Sequence, residues 1–230
     1  MEEKNLFQII QRVRELTDEA VIGFSGGKDG LLVLDLCKKF GFKRLSAFFM
    51  YLVPDLSFQN EYFDAIERQY DIEIHRVPHV ALSGYFKSGM YRFHSSAGEM
   101  PNVSLADMRL HIRNLTGIEW ILSGEKKTDS LTRRAWLARY KGIHEKQRLA
   151  YPVADWSDKN IWAYVNLHRL PIAPDYRIMG RSFHIEAPAT ILNVHHHYPE
   201  DYQRIKAVFP FVETIVATSR FANNHVQQSS

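Results

Sequence analysis

The sequence predicts an α/β fold in which a parallel, Rossmann-like sheet is sandwiched by helices and followed by a C-terminal helical extension. Short apolar runs alternate with segments of helical period, the first run ends in a glycine-rich loop, and the alternation stops near residue 150. Strands that alternate with helices are typical of parallel sheets covered on both faces. We therefore expect a nucleotide-binding domain over residues 1–150 and an extension over residues 151–230 that packs on the open end of the sheet.

The individual elements follow from the spacing of apolar residues. Helical spacing predicts a first helix over residues 5–16, and the apolar run 20–24 predicts a buried strand. Residues 81–101 lack periodicity, which is typical either of a substrate loop or of a disordered insertion. The remaining predicted strands are 45–53, 72–77 and 119–122, and the remaining predicted helices of the domain are 31–40, 59–70 and 104–115.

Composition restricts the class of protein. The net charge is +3, a mild basic excess that suits anionic substrates but does not by itself indicate nucleic acid. The only cysteine is Cys37, so a disulfide framework and an all-cysteine iron–sulfur site are not expected within one chain, and a reducing compartment is favoured. The charged N-terminus is no signal peptide and no apolar run is long enough for a membrane span, so we expect a cytoplasmic protein without membrane contact.

The glycine-rich loop carries the strongest functional signal. Two adjacent glycines allow a tight turn whose N–H groups point at an anion, and the following helix adds a partial positive charge at its N-terminus. Lys28 supplies a point charge to the same phosphates, and Asp29 offers oxygen ligands for Mg²⁺. The pattern is neither a Walker loop nor a dinucleotide fingerprint. The loop residues are Ser25, Gly26, Gly27, Lys28, Asp29 and Gly30.

This loop resembles the SGGKDS signature of the PP-loop (N-type) ATP pyrophosphatases, with Gly30 in the last position, where the family has serine. A second stretch, residues 121–133, resembles the phosphoadenosine phosphosulfate (PAPS) reductase and sulfate adenylyltransferase branch of that superfamily. There Lys126 takes the position of an arginine and Asp129 that of a glutamate, whereas Ser130 and Arg133 match directly. Both stretches follow predicted strands.

Two further features extend the resemblance to roughly residues 20–180. Asp55 follows the second predicted strand, where the branch has the aspartate of its DTG turn. Pro152, Trp156 and Asp158 begin a stretch, continued by Trp162, Tyr164, Pro171 and Tyr176, that is similar to the branch's proline- and tryptophan-containing segment. The tryptophans and Tyr176 are interpreted as core residues rather than as substrate platforms.

The resemblance implies an enzyme that cleaves ATP between the α- and β-phosphates and transfers the adenylyl group to an acceptor such as sulfate, a carboxylate or a base carbonyl. It implies ATP, or PAPS or adenylyl sulfate (APS), together with Mg²⁺ held by Asp29. Because the chain has one cysteine, we expect no iron–sulfur cluster. Lys28, Lys126 and Arg133 are the implied catalytic residues. The implied nucleotide-binding residues are the loop Ser25–Gly30 with Asp55, Gly124 and Ser130.

The chain departs from the redox members of that branch, because it has no cysteine near its C-terminus. Cys37 is interpreted as a core residue of an apolar helix. Three alternatives therefore stay open: a sulfonucleotide-binding protein without its own thiol, a nucleotide-dependent interaction module that docks a partner or a second copy through residues 199–230, and a component that modifies nucleic acid through the basic segment 126–148. The run His195–His197 is a weaker candidate for a metal site.

Overall fold

The computed structural model describes residues 6–88, 101–180 and 182–219. The strands are β1 (Glu19–Gly23), β2 (Arg44–Tyr51), β3 (Ile74–Pro78), β4 (Ile121–Ser123), β5 (Ile143–His144) and β6 (Leu149–Ala150). The helices are α1 (Gln8–Leu16), α2 (Lys28–Lys39), α3 (Ser57–Tyr70), α4 (Leu82–Ser88), α5 (Leu105–Thr116), α6 (Leu131–Tyr140), α7 (Asp158–Leu167), α8 (Pro174–Met179), α9 (Pro188–His197) and α10 (Pro199–Val208).

The six strands form one sheet in the order β3-β2-β1-β4-β6-β5. β1 pairs in parallel with both β2 and β4, and β4 pairs in parallel with β6. The two-residue β5 pairs with β6 in the antiparallel direction. The predicted α/β fold, with its parallel-dominated sheet, flanking helices and C-terminal helices, is therefore confirmed.

Most predicted elements appear within a few residues of their expected positions, since their apolar faces are buried as the periodicity requires. In β1 the three central residues are completely buried, and in α2 every residue from Leu31 to Leu34 is completely buried. The predicted irregular stretch 81–101 begins with the short helix α4. The rest of that stretch, residues 89–100, lies outside the described residues.

The chain divides into two compact units that interleave along the sequence. The first comprises Met1–Met50, Phe63–Val77 and Leu105–Ala173, and the second comprises Tyr51–Tyr62, Pro78–Ser104 and Pro174–Ser230. The boundary expected at residue 150 stays a prediction. Among the described residues, no helix is both long enough and apolar enough to cross a membrane.

The first unit is held together by an apolar core and by one buried polar network. The network centres on Asp35 of α2, whose carboxylate accepts hydrogen bonds from Tyr164 of α7 at 2.8 Å and from Tyr70 of α3 at 3.3 Å. Lys39 adds a salt bridge to Asp35 at 3.0 Å. Because a buried carboxylate is costly unless its oxygens have partners, this network fixes α7 against α2. The start of α7 is thereby held near the glycine-rich loop.

The second unit has its own hydrophobic core, formed by α9, α10 and the segment that leads into α3. Its buried residues include Phe58, Ile191, Ile205 and Phe209. A completely buried carboxylate, Asp201, accepts hydrogen bonds from the backbone N–H groups of Ser57 and Phe58 and from the Ser57 hydroxyl. Asp201 therefore caps the N-terminus of α3, which satisfies both the carboxylate and the first N–H groups of that helix.

Candidate functional site

The glycine-rich loop follows β1, the strand at which the order of strand addition reverses. The chain leaves β1 to build β2 and β3 on one side and returns to place β4 on the other side of β1. In open parallel sheets, ligands bind beyond the carboxyl ends of the strands at this switch point. The segments that follow β1 and β4, residues 24–27 and 124–130, meet there.

The loop after β1 has the backbone geometry of an anion site. Gly26 adopts a φ of +80°, a conformation that is costly for residues with a Cβ atom. Gly27 is the N-cap of α2 and provides no side-chain cap, and Lys28 is the first helical residue. The first N–H groups of α2 are therefore not capped by a side chain, and they lie at the positive end of the helix dipole.

Gly124 brings the segment after β4 into contact with this loop. A Cβ atom at Gly124 would lie 2.7 Å from the backbone carbon of Asp29 and 2.9 Å from the backbone nitrogen of Gly30. Distances below 3 Å to backbone atoms are not tolerated without movement of the chain. The absence of a side chain at Gly124 therefore allows the end of β4 to pack directly on the first turn of α2.

This packing joins two lysines through one carboxylate. Asp29 accepts from Lys28 at 3.1 Å through Oδ1 and from Lys126 at 3.0 Å through Oδ2. Lys126 is only 4% exposed, so its ammonium group is largely removed from solvent. Two cations from the ends of adjacent parallel strands thus converge at the positive end of α2.

Two more carboxylates complete this charge cluster, which we call the loop cluster: Lys28, Asp29, Lys126, Asp129 and Asp158. Asp129 contacts the Lys126 ammonium at 3.1 Å and also accepts from the Lys126 backbone N–H at 2.8 Å. Asp158, the first residue of α7, lies 3.0 Å from Lys28 and 3.7 Å from Lys126. Two lysines therefore face three carboxylates, and the cluster carries a net negative charge.

The environment keeps Lys126 protonated. Burial lowers the pKa of Lys126, but hydrogen bonds and charge attraction from Asp29 and Asp129 outweigh it, so the pKa lies above its usual 10.5. The Lys28 hydrogen bond lowers the pKa of Asp158 below 3.8. At neutral pH Lys126 is consequently a fixed cation rather than a general base or a nucleophile.

Arg133 is linked to Lys126 through Asp129, which contacts both side chains. It is about half exposed and forms salt bridges with Glu125 at 3.3 Å and with Asp129 at 3.5 Å. Ser130 is the N-cap of α6, where its Oγ accepts from the Arg133 backbone N–H at 3.1 Å. Arg133 therefore orients Asp129, which in turn orients Lys126, and the catalytic role of Arg133 stays a prediction.

The departure from the family signature at Gly30 has a physical reason in this fold. A Cβ atom at Gly30 would lie 2.9 Å from Cδ2 of Phe24. Phe24 is 1% exposed and packs edge-on against Phe63, with ring centroids 5.7 Å apart. The large ring at position 24 occupies the space that a serine side chain at position 30 needs.

Asp55, Cys37 and the histidines at 195–197 were also singled out from the sequence. Asp55 is exposed, adopts a φ of +58° and belongs to the second unit, so its contact with the nucleotide stays a prediction. Cys37 is completely buried in α2, and burial raises the pKa of its thiol, as expected of a core residue. Within the described residues, no group of three or more His, Cys, Asp or Glu side chains is arranged to hold a metal ion, the histidines at 195–197 included.

Sequence reasoning missed the charge partners of the lysines. Asp158 was recognised only as part of the segment after Trp156, although an acidic residue directly after the N-cap Ser157 is a recognisable signal of a helix start. Its contact with Lys28 spans residues 28 to 158 and depends on the packing of α7 on α2. No local pattern contains that information. The metal role predicted for Asp29 stays a prediction, since both of its oxygens are engaged by lysines.

Solved structures share this fold at low sequence identity. The U34-tRNA thiolase NcsA from Methanococcus maripaludis superposes with a TM-score of 0.50 at 12% identity, over 92% of this chain and 81% of that chain. The FMN adenylyltransferase from Candida glabrata, in complex with ATP, gives a TM-score of 0.50 at 14% identity, over 76% and 58%. The NH3-dependent NAD synthetase from Campylobacter jejuni reaches 0.48 at 15% identity, over 95% and 93%.

The thiolase corrects one expectation from the sequence. Its structure contains a 4Fe–4S cluster, so the expected cofactor set of ATP or a sulfonucleotide with Mg²⁺ and without an iron–sulfur cluster is wrong for proteins of this fold. The expectation failed because it was taken from the cysteine content of a single chain. A shared fold places no such restriction on cofactors.

Membership of a family is established by a match to a family model. No curated protein matches this chain. The family model described as phosphoadenosine phosphosulfate reductase domain matches residues 19–182, which is well over half of the 230 residues and includes the whole loop cluster. The chain therefore belongs to the phosphoadenosine phosphosulfate reductase domain family, a nucleotide-binding branch of the PP-loop superfamily.

Proposed function

We propose that this protein is an enzyme that binds ATP and cleaves it between the α- and β-phosphates, with transfer of the adenylyl group to an acceptor and release of pyrophosphate. The observation that carries the proposal is the convergence of Lys28 and Lys126 on Asp29, directly beside the uncapped N-terminus of α2. Two fixed cations and a helix N-terminus at one point favour a group that leaves as a multiply charged anion.

The loop is suited to the pyrophosphate end of ATP. The N–H groups that follow Gly26 need no side chain to bind phosphate oxygens, so the missing hydroxyl at Gly30 removes one contact without changing the path of the backbone. Lys28, whose side chain is 12% exposed, lies at the first turn of the helix and neutralises charge on the same oxygens. The leaving group is stabilised before and after the bond breaks.

Nucleotide binding requires that phosphate oxygens replace a carboxylate in the loop cluster. Asp158 is the residue most easily displaced, because its side chain is 67% exposed while that of Asp29 is 26% exposed. Asp129 is held by its own backbone contact with Lys126. We infer that Asp158 leaves Lys28 when ATP enters and that Asp29 and Asp129 keep Lys126 in position.

The remaining chemistry needs no nucleophile from this chain. The Cys37 thiol is buried, and Lys126 stays protonated. Catalysis therefore comes from the alignment of the acceptor with the α-phosphorus and from stabilisation of the charge that develops on the leaving pyrophosphate. The ATP bound by the FMN adenylyltransferase of similar fold supports ATP as the substrate.

A second function is favoured by the family match itself. The matching domain is named for a reductase of a sulfonucleotide, so a protein that binds PAPS or adenylyl sulfate without its own redox thiol is the alternative. Titration of the protein with ATP and with PAPS separates the two functions. Tighter binding of PAPS, without pyrophosphate release from ATP, would favour the alternative.

The experiment that tests the proposal is analysis of the products formed from ATP labelled with ³²P at the α-phosphate, in a buffer that contains a divalent cation. We expect the label in AMP or in an adenylylated acceptor, and we expect Lys28→Ala to form this product more slowly than the wild type. Labelled ADP as the first product would contradict the proposal, since it requires cleavage between the β- and γ-phosphates.

A further inference from the structure

A second cluster of basic side chains lies in the first unit, away from the loop cluster. It surrounds a cavity of about 550 Å³ between α5 and the turn Glu145–Gln147, next to the amino ends of β4 and β6. Its basic lining residues are Arg109, Arg113, Lys146 and Arg148. The loop cluster, by contrast, lies beyond the carboxyl ends of β1 and β4.

The charges of this cavity are only partly neutralised. Its two carboxylates already have partners, because Glu119 pairs with Arg148 at 2.5 Å and Glu145 pairs with Arg12 at 2.8 Å. Arg113 donates to the backbone carbonyls of Glu119 and Gln147 rather than to a carboxylate oxygen. Among the described residues, Arg109, Arg113 and Lys146 form no salt bridge. The lining of the cavity therefore carries a net positive charge.

A group of aromatic rings is connected to the cavity lining through one hydrogen bond. Trp136 stacks on His144 with ring centroids 5.9 Å apart and an interplanar angle of 18°, and Tyr140 lies 4.0 Å from His144. His144 also accepts a hydrogen bond from the backbone N–H of Gln147, a residue that lines the cavity. The turn Glu145–Gln147, which His144 caps, therefore connects the rings of α6 to the basic cavity.

The aromatic rings are accessible and are themselves flanked by positive charge. Trp136, Tyr140 and His144 are all half-buried, so part of each ring faces solvent. The Arg139 guanidinium lies 5.5 Å from the centroid of the Tyr140 ring. In proteins that bind single-stranded nucleic acid, cations contact the phosphates and neighbouring aromatic rings stack on the bases.

A contact path leads from this region towards the loop cluster. Arg109 donates to the Tyr151 hydroxyl at 3.5 Å, and Trp136 packs edge-on against the Tyr151 ring. Burial, followed by the nearby Glu125 carboxylate, raises the pKa of Tyr151 to about 12, whereas Arg109 and Arg133 lower it. Arg133 in turn contacts Asp129 of the loop cluster. Arg109 and Arg133 are therefore positively charged side chains located between the cavity and the loop cluster.

We propose that the cavity cations Arg109, Arg113 and Lys146 and the rings Trp136 and Tyr140 bind a single-stranded segment of nucleic acid, which presents the acceptor group to the active site. This inference names the acceptor class of the proposed function and therefore rests on it. A single strand fits better than a duplex because stacking on protein rings requires bases that are not already paired and stacked within a duplex. An acidic peptide would use the charges but not the solvent-exposed parts of the rings.

The test is the binding of fluorescein-labelled oligonucleotides of about 15 nucleotides, RNA and DNA, by fluorescence anisotropy over a range of salt concentrations. We expect both single strands to bind and the logarithm of the affinity to fall linearly with the logarithm of the salt concentration. For Lys146→Glu we expect affinity to fall about tenfold and the salt slope to decrease by about one.

The matched control is Lys38→Glu, which makes the same change of charge at an exposed position of α2 outside the cavity. Thermal denaturation of both variants checks that each is folded. Trp136→Leu keeps the charge constant and should weaken binding about tenfold, within the range for loss of one stacked base. The proposal is overturned if Lys146→Glu binds as tightly as Lys38→Glu, or if poly-glutamate or duplex binds as tightly as the single strand.

The same variants separate this inference from the proposed function. Oligonucleotide binding that depends on Lys146 and Trp136 supports the inference even if no pyrophosphate is released from ATP, in which case only the proposed reaction fails. Pyrophosphate release that an oligonucleotide stimulates in the wild type but not in Lys146→Glu supports both. Release that occurs with a small-molecule acceptor, and is unaffected by Lys146→Glu or Trp136→Leu, contradicts the nucleic-acid acceptor alone.

Discussion

The loop cluster and the cavity beside α5, both in the first unit, differ in how the charge of their basic side chains is balanced. In the loop cluster, Lys28 and Lys126 are engaged by three carboxylates at distances between 3.0 and 3.7 Å. In the cavity beside α5, the two carboxylates have partners and three cations keep excess charge. We therefore expect a ligand to displace a carboxylate in the loop cluster, whereas an anion can enter the cavity without displacing one.

This difference explains why counting charges along the sequence was not sufficient. Residues 126–148 contain eight Lys and Arg residues, which look like one basic segment. In the fold these residues have different environments. Lys126 is nearly buried, Arg133 contacts Asp129, and Lys146 is exposed. Carboxylates distant in sequence, such as Asp29 and Asp158, decide which of these cations are neutralised.

The largest effect is expected from Lys126→Ala. The change removes the cation that three carboxylates share and leaves negative charge facing the leaving pyrophosphate. We expect turnover to fall roughly 100- to 1000-fold, the scale for loss of one preorganised charge-stabilising group. Lys127→Ala is the control, because Lys127 is the adjacent lysine and pairs instead with Asp155. Equal pyrophosphate release rates in the two variants would remove Lys126 from the mechanism.

Gly124→Ala tests the packing that brings the two strand ends together. A methyl group placed 2.7 Å from the backbone of Asp29 must push the segments apart, which we expect to cost about 3 kcal/mol of unfolding free energy, at the upper end for overpacking. Gly84→Ala in α4 is the control, since its Cβ atom meets no atom within 4 Å. That change should stabilise slightly, by about 0.5 kcal/mol. Denaturant unfolding of both variants measures the contrast, and similar stabilities would contradict the close approach.

Gly30→Ser tests whether the Phe24 ring prevents the family's serine from occupying position 30. Restoring the family's serine should destabilise the protein by about 1–2 kcal/mol, because the new side chain meets the Phe24 ring. The double change Phe24→Leu with Gly30→Ser should be less destabilised than the sum of the two single changes. Thermal unfolding of the three variants forms a double-mutant cycle, and additive effects would show that Phe24 is not the obstacle.

Asp158→Asn should have the smallest effect and the opposite sign. Removal of an exposed carboxylate that competes for Lys28 should strengthen ATP binding about fivefold, consistent with the modest energy of an exposed ion pair. Because Lys28 lowers the pKa of Asp158 below 3.8, the carboxylate is ionised throughout the neutral range and the gain should not vary with pH above about 5. Weaker binding in a calorimetric titration would mean that Asp158 binds the nucleotide rather than competing with it.

Local sequence patterns were sufficient for most of the fold and for the glycine-rich loop. The burial of β1 and α2, and the position of Lys28 at the first helical turn, follow from apolar spacing and glycine punctuation. The strands β5 and β6 were not predicted, because two-residue strands are too short to have a detectable period. The pairing of β6 with β4, and of β5 with β6, is determined by tertiary packing.

The candidate site was less accessible to sequence reasoning. Lys126 was identified by its place after β4, yet its near-complete burial and its three carboxylate partners depend on Gly124 and on the start of α7. The obstruction of position 30 by Phe24 is likewise a matter of side-chain volume. Such features depend on contacts between elements that are distant in sequence.

The role of Lys28 at the leaving pyrophosphate is tested most directly by calorimetric titration of the wild type and Lys28→Ala with ATP and with AMP. Because AMP lacks the β- and γ-phosphates, the account predicts that Lys28→Ala weakens ATP binding by about 1–3 kcal/mol, the range for charge-assisted contacts, and leaves AMP binding unchanged. Equal losses for ATP and AMP, or no loss for either, would contradict the assignment of Lys28 to the pyrophosphate end of the nucleotide.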